Sequence, residues 1–119
     1  MKIEELRLGN IIHVDTGFHD FGYKKGTHVI DKRLLIDILT YSTLQKCIKA
    51  VPVTEEWLLK FGFKRFPWGL VIGELLFKDN LKCTELTFEV GNGFRVELKY
   101  VHHLQNFYFD FNNEELKQQ

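Results

Sequence analysis

The side chains best equipped for chemistry in this chain are its histidines and the acids near them. The stretch "KYVHHLQNFYFDFNNEEL", Lys99 to Leu116, carries a tandem pair, His102 and His103, followed by Asn106 and Asp110. A second set, His13, His19 and His28, flanks a glycine-rich stretch with Asp15 and Asp20 nearby. Imidazole and carboxylate are zinc ligands and the usual carriers of protons in acid–base catalysis, so both sets qualify by type. Neither qualifies by spacing. On a helix rising 1.5 Å per residue, His102 and Asp110 stand about 12 Å apart, too far to share an ion, which leaves His102 with Asn106 as a poor ligand pair. The loop histidines match no zinc pattern, and no nucleophile or paired carboxylate lies beside them in sequence. Glu55 and Glu56, adjacent on a helix, point apart and serve its dipole. The glycines of "GYKKG" fit neither phosphate-binding glycine pattern. The expectation is no catalytic residue, no metal and no cofactor, with an enzyme the least supported class.

What remains is binding. Phe109 shares the polar side of the last helix with His102 and Asn106, while Phe18, Phe21 and Tyr23 sit in a loop that should be wet, next to Lys24 and Lys25. These residues suit a non-enzymatic protein-interaction module, acting on a partner or on a second copy of the chain. Alternatively, Lys24, Lys25 and the flanking rings clasp a phosphate and stack a base, making the chain a small-ligand, nucleotide-like binder. Packing of the same rings beneath their loop is the plain structural alternative, and Trp57 reads as core.

Composition narrows the partners. The 16 basic and 16 acidic residues cancel, so the chain lacks the basic excess that phosphate backbones attract, and nucleic acid is disfavoured. With 45% hydrophobic and 14% aromatic residues in 119, one packed domain is expected, divided at about residue 50 into an N-terminal hairpin with a short helix and a larger remainder. Cys47 and Cys83 are isolated, which fits reduced thiols better than a disulfide framework. No apolar run nears the roughly 20 residues of a membrane span, and "MKIEELRLG" lacks the apolar core of a signal peptide; a cytoplasmic location is expected.

The elements that must position these residues follow from periodicity and punctuation. Ile11 to Val14 and Thr27 to Ile30 read as a two-stranded hairpin around the loop. Asp31 offers an N-cap to a helix from about Lys32 to Tyr41, with a strand as the rival reading because Ile36 and Ile38 also suit a sheet. Thr54, Glu55 and Glu56 start a second short helix that Gly62 closes. From Phe63 to Lys99 the period becomes two, predicting a four-stranded antiparallel meander. In its last hairpin a three-residue loop, Gly91 to Gly93, keeps the apolar faces together by pairing Val90 with Phe94 and Phe88 with Val96, whereas a two-residue turn mixes them. The period of 3.6 then resumes. Tyr100, Val101, Leu104, Phe107, Tyr108 and Phe111 gather on one arc, expected to pack a closing helix on the meander, with His102, Asn106 and Asp110 on the opposite, solvated or hydrogen-bonded face. The fold class is α+β.

Three segments together, "ELRLGN", "VPVTEEWLLKFGF" and "KYVHHLQNFYF", resemble a family of small uncharacterised proteins encoded in Bacteroidota genomes and their phages and mobile elements. Its members pair L-R-I-G-N with P-L-T-E-E-W-L-L-K-F-G-F and K-Y-V-H-Q-L-Q-N-L-Y-F in the same order. His103 stands where that pattern has Gln, and Phe107 where it has Leu. The resemblance implies a phage or mobile-element setting, such as blocking a host defence, and brings no catalytic residue with it.

Overall fold

Strand β1, Ile11–Val14, lies at the centre of a three-stranded antiparallel sheet, between β2, Gly26–Val29, and β3, Ile48–Ala50. The computed structural model describes residues 2–15, 22–73, 75–78, 87–90 and 94–118. Ile12 and Val14, alternating along β1, point into a cluster with Leu6, Ile30, Leu34, Ile38, Leu44 and Ile48. Ile11 points the other way and is also buried, as a central strand requires. Helix α1, Lys32–Thr40, supplies Leu34 and Ile38 to this core, and the Asp31 carboxylate accepts from the Leu34 amide at 2.7 Å. The helix reading of this segment therefore holds, and the cap is the expected one. A short helix α2, Ser42–Gln45, leads to β3. The predicted two-stranded hairpin thus gains a third strand, one of three residues, too short to show a period.

The chain forms two compact units, one of Met1–Val51 with Tyr100–Glu115, the other of Pro52–Lys99 with Leu116–Gln119. In the second, Thr54 caps α3, Glu55–Lys60, by accepting from the Trp57 amide at 3.3 Å, and Gly62 follows at φ 93°. Trp57 is half-buried, tilted against Phe61 with the Lys60 ammonium 4.7 Å from its ring centre. Five strands follow in chain order in an antiparallel sheet: β4, Lys64–Phe66; β5, Gly69–Ile72; β6, Leu75–Lys78; β7, Thr87–Val90; and β8, Phe94–Glu97. The count is one more than the four predicted because the apolar stretch after the turn at Pro67 to Gly69, running to Phe77, holds two strands and not one. Gly73, at φ 55°, makes the reversal, and Ile72 faces Leu75. A run that is apolar on both faces hides such a turn. At β7 and β8 the derived register is present, with Val90 opposite Phe94 and Phe88 opposite Val96; the loop 91–93 itself lies outside the described residues. Phe88, fully buried, meets Phe63 and Phe77 with ring centres 6.4 and 5.2 Å away.

The last helix, α4, spans Val101–Asn112 and ends on Asn113 in the left-handed conformation. It belongs to the first unit, where it contacts β1. Its phase is corrected. The buried residues are Val101, His102, Leu104 and Gln105, whereas Tyr100 and Phe111, expected in the core, are 38% and 47% exposed. A wheel does not show that His102 and Gln105 are buried against polar partners elsewhere in the protein.

Candidate functional site

The residues that fix the phase of α4 also shape the site. "ELRLGN", residues 5–10, follows from the last residue of a short 3-10 turn, Ile3–Glu5, into a tight bend with Gly9 at φ 88°. The polar groups of α4 bond to it in order. His102 and His103 each place Nε2 on the same Glu5 oxygen, Oε2, at 3.2 and 2.7 Å. Gln105 accepts from the Ile11 amide and donates to the Gly9 carbonyl, both at 2.8 Å. Asn106 accepts from the Asn10 side chain at 2.9 Å and donates to the Glu5 carbonyl at 2.8 Å. Arg7 pairs with Asp110 at 3.0 Å. The stripe His102, Asn106, Asp110, read as a solvated or hydrogen-bonded face, is the latter: its partners are Glu5, Asn10 and Arg7. Its spacing was legible as a stripe; its partners, almost a hundred residues away, were not.

One end of this interaction opens into a cavity of about 410 Å³ lined by Lys2, Glu5, Ile48, Lys49, Ala50, Tyr100, His102 and His103. Its wall is aromatic. Tyr100 and His102 are parallel with centres 6.1 Å apart, Tyr100 meets His103 edge-on at 5.5 Å, and the two imidazoles are 4.2 Å apart. Lys2 and Lys49 are exposed and cationic, Lys49 with Asp15 at 3.0 Å. Aromatic, cationic and imidazole groups around a concave space of this size are what small-molecule sites are made of.

Electrostatics set the charge states. Burial pushes the His102 imidazole below its ordinary 6.5, against a smaller upward pull from the Glu5 hydrogen bond, so the ring is neutral at pH 7. The His103 and His102 hydrogen bonds hold the Glu5 carboxyl below its usual 4.5. The His102 Nδ1 atom is buried without a hydrogen-bond partner. For both groups the folded form binds fewer protons than the unfolded form, so stability is fully present above about pH 7. It falls as pH drops below about 6.5, where unfolded His102 takes up its proton. Glu5 adds a further loss below the ordinary carboxylate range. Urea midpoints measured from pH 8 to 4 should be flat and then fall; a midpoint that rises between pH 7 and 5 would contradict a buried, neutral His102.

The other predicted residues lie elsewhere. Tyr23 donates its hydroxyl to Asp37 at 2.8 Å and carries the Arg33 guanidinium 5.3 Å above its ring. Burial, with that hydrogen bond, pushes its hydroxyl up to about 12. It packs against the core cluster and is not a free ring in a wet loop. Lys24 and Lys25 are exposed, and the Lys24 carbonyl accepts from His28 at 2.6 Å. Phe109 is half-buried on α4. Phe18, Phe21, His19 and Asp20 lie outside the described residues. Sequence reasoning missed Glu5, Lys2, Lys49 and Tyr100 as neighbours of the histidines. Of these four only Glu5 carries a sequence signal, as the first residue of "ELRLGN". Among the described residues no helix is long and apolar enough to cross a membrane. No family profile, curated protein or solved structure matches the chain.

Proposed function

We propose that the chain is a non-enzymatic binding protein whose N-terminal unit holds a small anion bearing a planar ring, a ligand of the nucleotide kind. The observation that carries this reading is the cavity beside α4, whose lining combines the cationic Lys2 and Lys49 with stacked rings. Lys2 and Lys49 would meet the anionic group, and Tyr100 with the imidazoles would face the ring. The nucleotide-like reading of the sequence is thereby kept, but moved from Lys24 and Lys25 to residues brought together from both ends of the chain. The histidines here contribute shape, polarity and hydrogen bonding and require no reaction.

A second reading, contact with a protein partner or a second copy, rests on a different observation. At the β4–β5 turn, Phe66 and Trp68 stack at 5.0 Å with planes 10° apart, and Trp68 is 62% exposed. Sedimentation velocity with adenosine monophosphate, read at the nucleotide's absorbance, separates the two. The first reading expects nucleotide to travel with the 14.1 kDa chain and Lys2→Glu to weaken this at least fivefold. Nucleotide that stays behind at millimolar concentration overturns it. A sedimentation coefficient that climbs with protein concentration, and ceases to climb in Trp68→Ser, is what the second reading expects.

A further inference from the structure

The hydrogen bonds of Glu5 are unusual in one respect. Two imidazole nitrogens converge on a single carboxylate oxygen, His102 Nε2 at 3.2 Å and His103 Nε2 at 2.7 Å, with the rings 4.2 Å apart. Each ring must direct its N–H at the same atom, so two protons crowd one acceptor while the second oxygen of Glu5 has no part in either bond. Ligand atoms from Glu5, His102 and His103 all lie within 4.8 Å of one another. A single cation placed among them would replace both protons and give each ring a better partner. At zinc–nitrogen and zinc–oxygen distances near 2.0–2.2 Å, tetrahedral ligand atoms stand roughly 3.4 Å apart, so the His102 contact already fits and the His103 contact must open by well under an ångström.

We infer that Glu5, His102 and His103 form a binding site for a first-row divalent cation of the zinc type, held by two imidazoles and one carboxylate, with its fourth position open to the cavity. The ligand types suit the ion: borderline nitrogen donors with one hard oxygen favour zinc, cobalt or nickel over magnesium or calcium, which prefer all-oxygen sets. The backbone suits it as well. His102 is 1% exposed and fixed on α4, His103 is its neighbour at the cavity wall, and Glu5 is anchored because its own carbonyl accepts from Asn106. Sequence spacing argued against a metal because it compared His102 with Asp110; the third ligand comes from the N-terminal turn. This inference does not rest on the nucleotide reading, although an anion in the cavity would find the open position within reach.

The test uses the full chain after exhaustive dialysis against a chelator, titrated with zinc alone and then with cobalt alone, no nucleotide being present. One zinc per chain should bind with micromolar or tighter affinity and raise the melting temperature. Cobalt should give the intense visible absorption of four-coordinate geometry. His103→Gln, at a partly exposed position that can lose the ring without opening the core, should weaken zinc at least tenfold, and Glu5→Gln should do the same. His28→Gln, whose ring bonds only to the Lys24 carbonyl in the described contacts, should leave it unchanged. Circular dichroism confirms that each variant is folded, and Glu5→Gln decides if His103→Gln is not. The absence of stoichiometric zinc binding at 100 µM overturns the inference, as does binding that survives both substitutions.

Discussion

Replacing Leu104 with alanine should destabilise the chain by about 2–5 kcal/mol in urea unfolding, the cost of deleting a fully buried isobutyl group and leaving part of its volume empty. Leu104 lies with His102 and Gln105 on the inward side of α4, and both of these neighbours are held in place by hydrogen bonds to other segments. Small domains are stable by only about 5–15 kcal/mol, and the loss is therefore a large fraction of the total. Phe111→Ala supplies the contrast. Phe111 stacks on Phe107 at 5.9 Å but is 47% exposed, and its removal should cost about 1 kcal/mol or less. Equal costs at the two positions would mean that the helix faces the protein with the broad aromatic arc read from the wheel, and the phase described above would be wrong.

Gln105→Leu should be comparably damaging for a different reason. The substitution conserves volume and adds apolar surface, which on burial alone would be harmless. Gln105, however, is 3% exposed and satisfies two backbone groups at once, the Ile11 amide and the Gly9 carbonyl. Each group left without a partner in a buried setting costs roughly 1–3 kcal/mol. The Ile11 amide opens the central strand of the sheet, so the loss should also appear as faster amide exchange at Ile11 and Ile12. A leucine variant as stable as the parent would show that the Gln105 bonds are incidental to the joining of the two chain ends.

Local signals proved reliable where a cap or a one-sided alternation marked the element. Asp31 and the 34, 35, 38, 39 spacing set α1, Thr54 and Gly62 bracket α3, and face-matching alone set the register of β7 against β8. The misses share a cause. β3 is three residues that become a strand only because β1 has a free edge to offer. The turn at Gly73 is invisible in a run whose two faces are both apolar. The partners of the polar side of α4 are missing from a wheel, which contains only its own helix. Asn10, Arg7 and Glu5 are about a hundred positions distant, and no period within α4 encodes them. The candidate site shows the same division. Its histidines were singled out at once, whereas the carboxylate and the lysines that give them a chemical context come from the first residues and from β3.

The central claim is that the cavity beside His102 and His103 is a place where small anions bind. Nitrogen-15 spectra of the histidine side chains, recorded during titration with adenosine monophosphate, test it at the atoms concerned. His28, on β2 and not among the cavity-lining residues, serves as the internal control. The account predicts saturable shifts at the ring nitrogens of His102 and His103, with those of His28 unmoved. Histidine signals that all stay fixed at millimolar nucleotide, or that move only at His28, would contradict it.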